Sequence, residues 1–538
     1  MSPEAQDQAD SVPPRAALVL TALLLGAVVA NINLSIANVA LPDIGRELGA
    51  SQAQLTNIAT GFTLALASTV LYLGAIADVY GRKLMFLLGA ALSVPTALLA
   101  AYAPNPTVLA GARFLGGLAA AMLFPTTLSL ISALFSGGAR TRAVALWSGV
   151  GGGSAVLGTL LGGILLARLW WGSVFLVTAP IAVIVLLLGI WVLPSKAGEA
   201  ATAVDHAGGV LSFVAVASLV LGLETLANGL SATLMSMLLV AVAAGLLFFR
   251  RQRRAPRPLI DMAETRPRTF WVSALAGTIG FGCLIGSMFI GQQFTQNVLH
   301  YTPLDAALVT LPAGLLMILA SFPAATLIAK KGGRVTMSLG LCGFLAGFAI
   351  MLLLWHPGAS VLVIVSAYGF AGFGAGLTMA SASHSLMASL PIARGGMGSA
   401  FLDLTRDFGG AIMNAIMGTV LAVFYAASLM ARFRELPPAE ASSISQSVGR
   451  EMTSSYAGAE QVASGYPDHA QAIIQAASQA FTEGKSAALA VALVLSGLAL
   501  VLLLVKYPRR ADEEAFFAEV EANDPQRPSA SPGDAKPA

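Results

Sequence analysis

Apolar runs of about 20 residues recur along the whole chain and are separated by short turns. A run of this length crosses the hydrocarbon core of a bilayer when it forms an α-helix. Inside lipid the backbone polar groups have to be satisfied within the segment, so a helix is the structure that such a run can adopt. Only 11% of the residues are charged, against about 25% in soluble domains. The sequence therefore predicts an all-α, polytopic membrane protein.

Turn residues divide the apolar runs into fourteen expected helices. The turns combine helix breakers with small residues, as in Pro104-Asn105-Pro106 and Gly332-Gly333. The predicted helices cover residues 17–41, 54–76, 84–103, 107–134, 143–166, 173–193, 208–228, 232–249, 270–296, 304–329, 335–355, 358–388, 396–430 and 485–506. Because this number is even, both ends of the chain are expected on the same side of the membrane.

The order of these helices indicates two repeated six-helix bundles with two inserted helices. The turn at 329–334 follows the second helix of the later block, as 74–83 follows the second helix of the first block. Repeated halves around a central site are typical of secondary transporters. The predicted division is a tail (1–16), an N-terminal bundle (17–194), two inserted helices with a basic loop (195–268), a C-terminal bundle (269–508) and a disordered cytoplasmic tail (509–538). A long polar extracytoplasmic loop is expected at about 431–484, with an amphipathic surface helix over residues 470–481.

The cations predict the orientation, because cytoplasmic loops are enriched in Lys and Arg. With the N-terminus inside, the short outer loops hold only Arg46 and Arg168. The short inner loops hold Arg82, Lys83, Arg140, Arg142, Lys196, Lys330, Lys331, Arg334 and Arg394. Both termini are therefore expected in the cytoplasm. Seven further arginines between residues 250 and 268 favour contact with lipid headgroups, and no nucleic-acid partner is expected.

Residues 74–83 have the features of a tight cytoplasmic turn. Gly74 and Gly81 permit close helix approach and unusual backbone angles. Asp78 is suited to cap a helix end or to pair with an Arg, and Arg82 and Lys83 fit the positive-inside pattern. The stretch resembles the signature loop between helices 2 and 3 of the major facilitator superfamily. That resemblance implies the major facilitator fold and a role for these residues as a conformational-switch loop.

Further motifs extend the resemblance to the fourteen-helix drug:proton antiporter group of that superfamily. Residues 38–42, Asn-Val-Ala-Leu-Pro, are similar to its first-helix motif, and Arg113 begins a match to its conserved-Arg motif. An Arg inside an apolar span usually faces the bundle interior with a partner. Small residues let helix backbones touch in lipid, so the glycines of the fifth helix indicate either a gating seam between halves or plain close packing. These glycines are Gly149, Gly158, Gly162 and Gly163.

Departures from the group's pattern concern proton coupling. Asn33 stands where the resemblance implies an Asp, and a neutral amide cannot release a proton. In the thirteenth predicted helix, Asp403, Arg406 and Asp407 share one helical face at i, i+3 and i+4. These three residues and Arg113 are the candidates for proton coupling. The alternative interpretation of the triplet is a structural ion cluster near the cytoplasmic end of its helix.

Uncharged polar residues in several helices predict a substrate cavity. A mostly apolar pocket with a few amide groups suits amphipathic or lipophilic solutes. Aromatic rings at Phe124, Trp147, Phe281 and Phe289 either offer faces to an organic cation or pack the core. The candidate cavity residues are Asn31, Asn33, Asn38, Gln292, Gln293, Gln296, His384 and Asn414.

The sequence contains no glycine-rich phosphate loop, no His-Glu-x-x-His string and no paired-cysteine motif. It therefore predicts a transporter that is not an enzyme and uses no cofactor, and whose transport either draws on an ion or solute gradient or is facilitated. The resemblance implies a multidrug exporter of a bacterial inner membrane that exchanges amphipathic small molecules for protons and contacts membrane lipids. The sequence does not specify a periplasmic adaptor. Two alternatives stay open: export of one endogenous metabolite or lipid with different coupling, and a non-transporting membrane scaffold or sensor.

Overall fold

The computed structural model describes residues 13, 15–135, 137–194, 204–225, 231–256, 258–260, 262, 265–390, 395–435 and 446–522. Regular structure within these ranges is helical. The first block comprises α1 (Ala16–Leu48), α2 (Gln52–Tyr80), α3 (Arg82–Ala101), α4 (Pro106–Leu134), α5 (Gly137–Leu166) and α6 (Ser173–Val192). Two helices follow, α7 (His206–Thr225) and α8 (Ala232–Gln252). The later block comprises α9 (Arg268–Gln293) with a π-helix over Phe294–Val298, α10 (Pro303–Leu354), α11 (Val361–Ala388), α12 (Gly395–Glu435), α13 (Gln446–Ser454), α14 (Tyr456–Gly465), α15 (Ala470–Lys506) and α16 (Arg510–Ala522).

Several helices begin at side chains that satisfy the free backbone amides of the first turn. Ser51 and Gln54 form a capping box at the start of α2, with each side chain accepting from the other residue's backbone N–H. The Asn105 side chain accepts from the Val108 amide at 2.9 Å before α4. Before α10, the Thr302 hydroxyl accepts from the backbone N–H of Asp305 at 3.1 Å. Polar residues in the short turns thus fix where the apolar helices begin.

Two glycines form one-residue turns between neighbouring helical segments. Gly81 ends α2 and begins α3 with φ of 110° and ψ of 125°. Gly332 interrupts α10 with φ of 81° and ψ of 168°, which divides α10 into residues 303–331 and 333–354. Positive φ values of this kind favour glycine. Because successive helices run antiparallel, both turns lie at one end of the bundle, here called the Gly81 end. The other end, which carries Gly49 between α1 and α2, is called the Gly49 end.

Twelve helices of the described part are long and apolar enough to cross a membrane. The 52-residue α10 counts once among them although the Gly332 turn divides it. The helix α5 is not among them, because its apolar segment in the described part, Leu157–Leu166, is shorter than a membrane span. Length and composition therefore give a polytopic helical bundle, and the expected count of fourteen is not confirmed by them.

The helices pack as two groups that meet along two seams. In the first block α2 packs on α4 and α1 on α5, and in the later block α10 packs on α11 and α9 on α12. The seams between the blocks are formed by α2 with α12 and by α5 with α10. The helix α7 packs on both α2 and α12, so it lies over the first of these seams.

The apolar core joins the two blocks at the Gly49 end. There, Ile44 of α1 and Leu55 of α2 belong to the same buried cluster as Phe289 of α9. Towards the Gly81 end, buried residues of the first block form a second cluster, to which the later block contributes Phe281 and Ile285 among the described residues. Apolar packing between the blocks is therefore more extensive at the Gly49 end.

Two polar segments pack on the bundle as helices. Residues 470–481 are helical with one buried face, as expected of an amphipathic segment, but they form the first part of the long α15 rather than a separate surface helix, and they bury Ala477, Ala480 and Phe481. The chain before them folds into α13 and α14, and Tyr425 of α12 donates to the Met452 carbonyl at 3.0 Å. The expectation of a disordered tail is also wrong for α16, which is helical and packs on α10. Residues 436–445 and 523–538 lie outside the described part.

Candidate functional site

The turn at Gly81 is fastened to its own block by two cations. Nη1 of Arg82 donates to the backbone carbonyl of Ser129 in α4 at 3.2 Å. Nζ of Lys83 donates to the carbonyl of Leu193 at the C-terminus of α6. Carbonyl groups that lack a helical partner attract cations at a helix C-terminus. The two cations of the predicted switch stretch therefore bind α3 to α4 and α6.

The predicted switch stretch is helical up to Tyr80 and is not a loop. A Cβ built at Gly74 meets no atom within 4 Å, so the expected close helix approach at Gly74 is wrong. The unusual backbone angle expected at Gly81 is confirmed by its φ of 110°. The side chain of Asp78 lies outside the described part of the chain.

Arg113 lies inside the first block, where its side chain is only 3% exposed. Its Nη1 donates to the backbone carbonyl of Asn33 at 2.9 Å, and its Nε donates to that of Ile58 at 3.4 Å. The guanidinium carbon lies 4.6 Å from the ring centre of Phe62 and 5.6 Å from that of Phe175. Backbone dipoles and ring faces therefore stabilise this charge. The expected interior placement of Arg113 is confirmed, and the partners it contacts are α1, α2 and α6.

The charged triplet of α12 lies between the two blocks. Nη1 of Arg406 is 3.9 Å from Oδ1 of Asp403, and both Asp403 and Asp407 are only 5% exposed. Oδ2 of Asp407 has no hydrogen-bond partner in the described part. The Arg406 guanidinium carbon lies 4.8 Å from the ring centre of Phe281 in α9 and 5.8 Å from that of Phe124 in α4. The triplet thus faces helices of both blocks and has an incompletely paired carboxyl group.

Aromatic rings that were candidates for binding an organic cation are occupied by the protein's own groups. Phe124 and Phe281 flank Arg406, as described above. Phe124 also packs on Trp147 with ring centres 5.1 Å apart, and the Trp147 indole donates to the Thr127 hydroxyl at 2.8 Å. Phe289 is fully buried in the core cluster. In this conformation the packing interpretation describes these rings.

Two amide side chains of α1 donate to backbone carbonyls of their own helix. Nδ2 of Asn31 donates to the Ala27 carbonyl at 2.8 Å, and Nδ2 of Asn33 donates to the Val29 carbonyl at 2.9 Å. Asn31 is buried, Asn33 is half-buried and Asn38 is buried. These side chains therefore lie inside the bundle, and their amide oxygens are the groups available to a solute there.

The glutamines of α9 and its π-helix bind helix backbones at the Gly49 end, and Gln296 does so across the blocks. Gln292, Gln293 and Gln296 are all buried. Nε2 of Gln292 donates to the Ala306 carbonyl of α10 at 3.1 Å, and Nε2 of Gln296 donates to the Val39 carbonyl of α1 at 2.9 Å. The side-chain oxygens of Gln293 and Gln296 have no partner in the described part. These residues contact helix backbones rather than line an open cavity in this conformation.

The α5 glycines serve two contacts. A Cβ at Gly158 or Gly162 would lie within 3.1 Å of atoms of α1, inside the first block. A Cβ at Gly163 would lie 2.8 Å from Cβ of Ala307 in α10, across the seam between the blocks. Among these three, Gly163 is therefore the residue that permits close approach of the blocks. The surroundings of Gly149 lie outside the described part.

His384 does not lie among the other cavity candidates. It is exposed on α11 at the Gly81 end, and its ring centre is 6.1 Å from that of Phe517 in α16. It borders a cavity of about 520 Å³ that Glu513 and Glu514 also line. Its expected place in the substrate cavity is wrong, because this end of α11 faces the C-terminal helix. Asn414, by contrast, is buried in α12, and its Oδ1 has no partner in the described part.

A small apolar cavity lies at the seam of α5 with α10. It is lined by Thr159 of α5, by Leu284 and Met288 of α9, and by Thr310 and neighbouring residues of α10. Its volume is about 30 Å³. Pockets for drug-sized ligands measure about 300–1,000 Å³, so this seam has to open before it holds such a molecule.

Sequence reasoning missed Lys485, which was expected to begin the last span. The side chain is fully buried, and its Nζ donates to the carbonyls of Met351 at 3.1 Å and Trp355 at 2.6 Å. The Phe294 ring centre lies 4.9 Å from the same nitrogen. Lys485 therefore caps the C-terminus of α10. A lone cation at the border of a long apolar run was the available signal.

These features define the class of the protein. Long apolar helices form two packed blocks, and buried cations are held by backbone carbonyls inside them. Such a structure is a polytopic helical membrane protein. Residues 23–414 match the sequence pattern of the Major Facilitator Superfamily, and the chain belongs to this superfamily.

Relatives of the chain are named for drug efflux and resistance. The chain is 32% identical over 494 residues to the multidrug efflux pump LfrA of Mycolicibacterium smegmatis, which covers 91% of this chain and 96% of LfrA. It is 29% identical over 510 residues to the methyl viologen resistance protein SmvA of Salmonella typhimurium, which covers 92% of this chain and 99% of SmvA. The similarity in both cases spans nearly the full length of each protein.

Solved structures confirm the expected major facilitator fold. An inward-facing bacterial homologue of the human lysosomal transporter Spinster has a TM-score of 0.62 at 16% identity, covering 92% of this chain and 98% of the homologue. An auto-inhibited peptide transporter of the POT family also has a TM-score of 0.62 at 16% identity, covering 96% of this chain and 99% of that protein. At this level of identity the likeness shows the fold alone.

Proposed function

We propose that the chain is a secondary active multidrug exporter that moves lipophilic or amphipathic small molecules out of a bacterial cell. The observation that carries the proposal is 32% identity to a multidrug efflux pump across 91% of the chain. The interior agrees with such solutes, since buried amides such as Asn31 and Asn414 lie among mostly apolar helices. No periplasmic partner is part of this proposal.

In this proposal the chain crosses the inner membrane fourteen times, as two six-helix bundles with α7 and α8 inserted between them. The twelve apolar helices become fourteen passes when the two segments of α10 count separately and the 30-residue α5 is included. Arg82, Lys83 and Arg334 lie at the Gly81 end, which supports a cytoplasmic location for that end and for both termini.

Transport proceeds by alternating access, in which the two bundles rock about a central site. In the conformation described here the Gly49 end is the closed end. Gln296 bonds to Val39 across the blocks, and Gly163 lets α5 contact α10. These contacts break when the transporter opens outward. The small cavity between α5 and α10, now about 30 Å³, widens during the same step.

Proton antiport supplies the energy, with Asp403 and Asp407 as the proton carriers. Both carboxyl groups are buried next to Arg406, and Asp407 has an oxygen without a hydrogen-bond partner in the described part. Water reaches and leaves such a group as the bundle opens and closes, so the group binds a proton on one side and releases it on the other. Arg406 contacts rings of both blocks, which places the exchange where relative motion of the blocks changes the surroundings.

Dye transport into inside-out membrane vesicles tests this function. With ATP absent, an imposed pH gradient drives uptake of a lipophilic cationic dye by the wild-type chain, and a protonophore abolishes it. In the double variant Asp403→Asn/Asp407→Asn the gradient-driven rate of dye uptake is expected to fall at least tenfold, while dye binding is kept. The reason is that an amide does not bind and release a proton at physiological pH.

The matched control is Asp468→Asn, which removes an exposed carboxyl group at the Gly49 end. This variant is expected to transport at the wild-type rate. An unchanged response to the pH gradient in the double variant contradicts the assignment of the proton carriers. Absence of dye uptake by the wild-type chain, with correct insertion shown by protease protection, contradicts the multidrug function itself.

A further inference from the structure

We propose that α16 is a clamp on the Gly332 turn, and that this clamp makes the two segments of α10 and the adjoining end of α11 move together as one rigid unit during transport. The role of this clamp in transport rests on the proposed function, whereas the clamp itself rests on the geometry of α16. Two side chains on successive turns of α16, Arg510 and Glu513, bind the two helix ends that meet at Gly332.

Glu513 binds the helix that begins after the turn. Its two carboxylate oxygens accept from the Gly333 backbone N–H at 3.0 and 3.2 Å, and the side chain is only 3% exposed. The first amides of a helix lack partners within it and carry partial positive charge, so a carboxylate is stabilised there. Glu513 thus caps the segment 333–354 from outside its own sequence.

Tyr507 completes the Glu513 site. The tyrosine hydroxyl donates to Oε1 of Glu513 at 2.7 Å and lies 2.8 Å from Oγ of Ser385 in α11. Burial raises the pKa of the Tyr507 hydroxyl, and the nearby Glu513 carboxylate raises it further. The hydroxyl therefore stays a donor at physiological pH. One carboxyl group connects α10, α11 and the chain after α15.

Arg510 binds the helix that ends before the turn. Its Nη2 donates to the Ala329 carbonyl at 3.1 Å, and its Nη1 donates to the Lys330 carbonyl. These carbonyls belong to the last turn of the segment 303–331, where partial negative charge accumulates. Arg510 and Glu513 therefore match their charges to the opposite ends of two adjoining helical segments.

Comparison of the two turns shows what α16 contributes. Asp78 stands close before the Gly81 turn, whereas residues 329–334 around the Gly332 turn contain no acid. Glu513 supplies a carboxylate to the later turn from another part of the chain. Helices fastened to each other at this end tilt together, as the rocking of rigid units in alternating access requires.

The test compares Glu513→Ala and Glu513→Gln with Glu519→Ala, which removes an exposed carboxyl group from the same helix. Hydrogen exchange of the purified full-length protein reports on the Gly333 amide, and vesicle dye transport reports on turnover. Glu513→Ala is expected to speed exchange in the peptide that contains Gly333 at least tenfold and to slow transport at least fivefold, with dye affinity within twofold of wild type. Glu513→Gln keeps an acceptor without the charge and is expected to fall between.

Exchange at Gly333 that is unchanged in Glu513→Ala overturns the clamp, as does faster exchange with a normal transport rate. Equal effects of Glu519→Ala and Glu513→Ala also overturn it, because a general effect of the helix surface then explains the data. If the wild-type chain transports no dye, the multidrug proposal fails while the exchange measurement still decides whether Glu513 holds the turn.

Discussion

Arg113 and Lys485 are buried cations that lack an acidic partner among the described residues. Each donates to two backbone carbonyls of other helices and lies against a phenylalanine ring. A carbonyl dipole neutralises part of a charge without placing a second ion in the membrane. Each cation therefore joins helices through their backbones. The shape of the cationic group determines how many of these carbonyls it can bond at the same time.

Arg113→Lys is predicted to destabilise the protein by about 2 kcal/mol, because a single ammonium group cannot reproduce the two guanidinium bonds and the stacking on Phe62. The measurement is the thermal unfolding midpoint in detergent. Arg168→Lys is the matched control, since Arg168 is exposed near the end of α5 and is expected to tolerate the change. Equal midpoints for the wild type and Arg113→Lys contradict the prediction.

Sequence reasoning found Arg113 because a cation within an apolar span has to face the interior. It did not find the partners, because the carbonyls of Asn33 and Ile58 carry no residue-specific signal. For the same reason Lys485 was missed, although the sequence shows a lone cation there. The Asp403, Arg406 and Asp407 triplet was found because its members share one helical face, which spacing alone determines.

At the scale of elements, the bounds of the apolar helices follow from the sequence. The predicted span 107–134 agrees with α4, which Asn105 and Pro106 begin. The predicted spans 304–329 and 335–355 agree with the two segments of α10, except that the structure reduces the turn between them to Gly332. Polar composition failed to predict α13, α14 and α16, because their stability comes from contacts with distant helices rather than from apolar length.

The two glycines of the 74–83 stretch are predicted to respond differently to alanine. Gly81→Ala places a side chain at φ of 110° and is expected to cost about 1–3 kcal/mol. Gly74→Ala lies in open space inside a helix, and its higher helix propensity is expected to add up to about 1 kcal/mol of stability. Unfolding midpoints of the purified variants check both signs. A lower midpoint for Gly74→Ala than for Gly81→Ala contradicts the prediction that Gly81, and not Gly74, is the position that requires glycine.

For the whole molecule, the repeated turn revealed the two-block organisation, whereas the docking of the polar segments did not follow from the sequence. The contacts between the blocks at the Gly49 end also could not be derived, since they depend on buried pairs such as Gln296 with Val39. Periodicity predicts which residues enter the membrane. It contains no information on which backbone carbonyl a long side chain reaches after the blocks meet.

Labelling with a membrane-impermeant maleimide is predicted to separate the two ends of the bundle. In a Cys342→Ser background, His356→Cys is expected to react in intact cells, because His356 is exposed in the turn after α10 at the Gly49 end. Lys83→Cys and Lys331→Cys are expected to react only after permeabilisation. Labelling of Lys83→Cys and Lys331→Cys from opposite sides excludes the fourteen-pass arrangement and the repeated blocks.

The one-residue joints at Gly81 and Gly332 have a mechanical consequence. A single residue between two rods leaves no slack, because neighbouring Cα atoms are about 3.8 Å apart. A lean of α2 is therefore passed on directly to α3, and the two segments of α10 are coupled in the same way. The connection before α10 at the Gly49 end, residues 299–302, is longer than either joint. The helices on the two sides of Gly81, and those on the two sides of Gly332, are thus mechanically paired, and inserting residues at either joint would uncouple them.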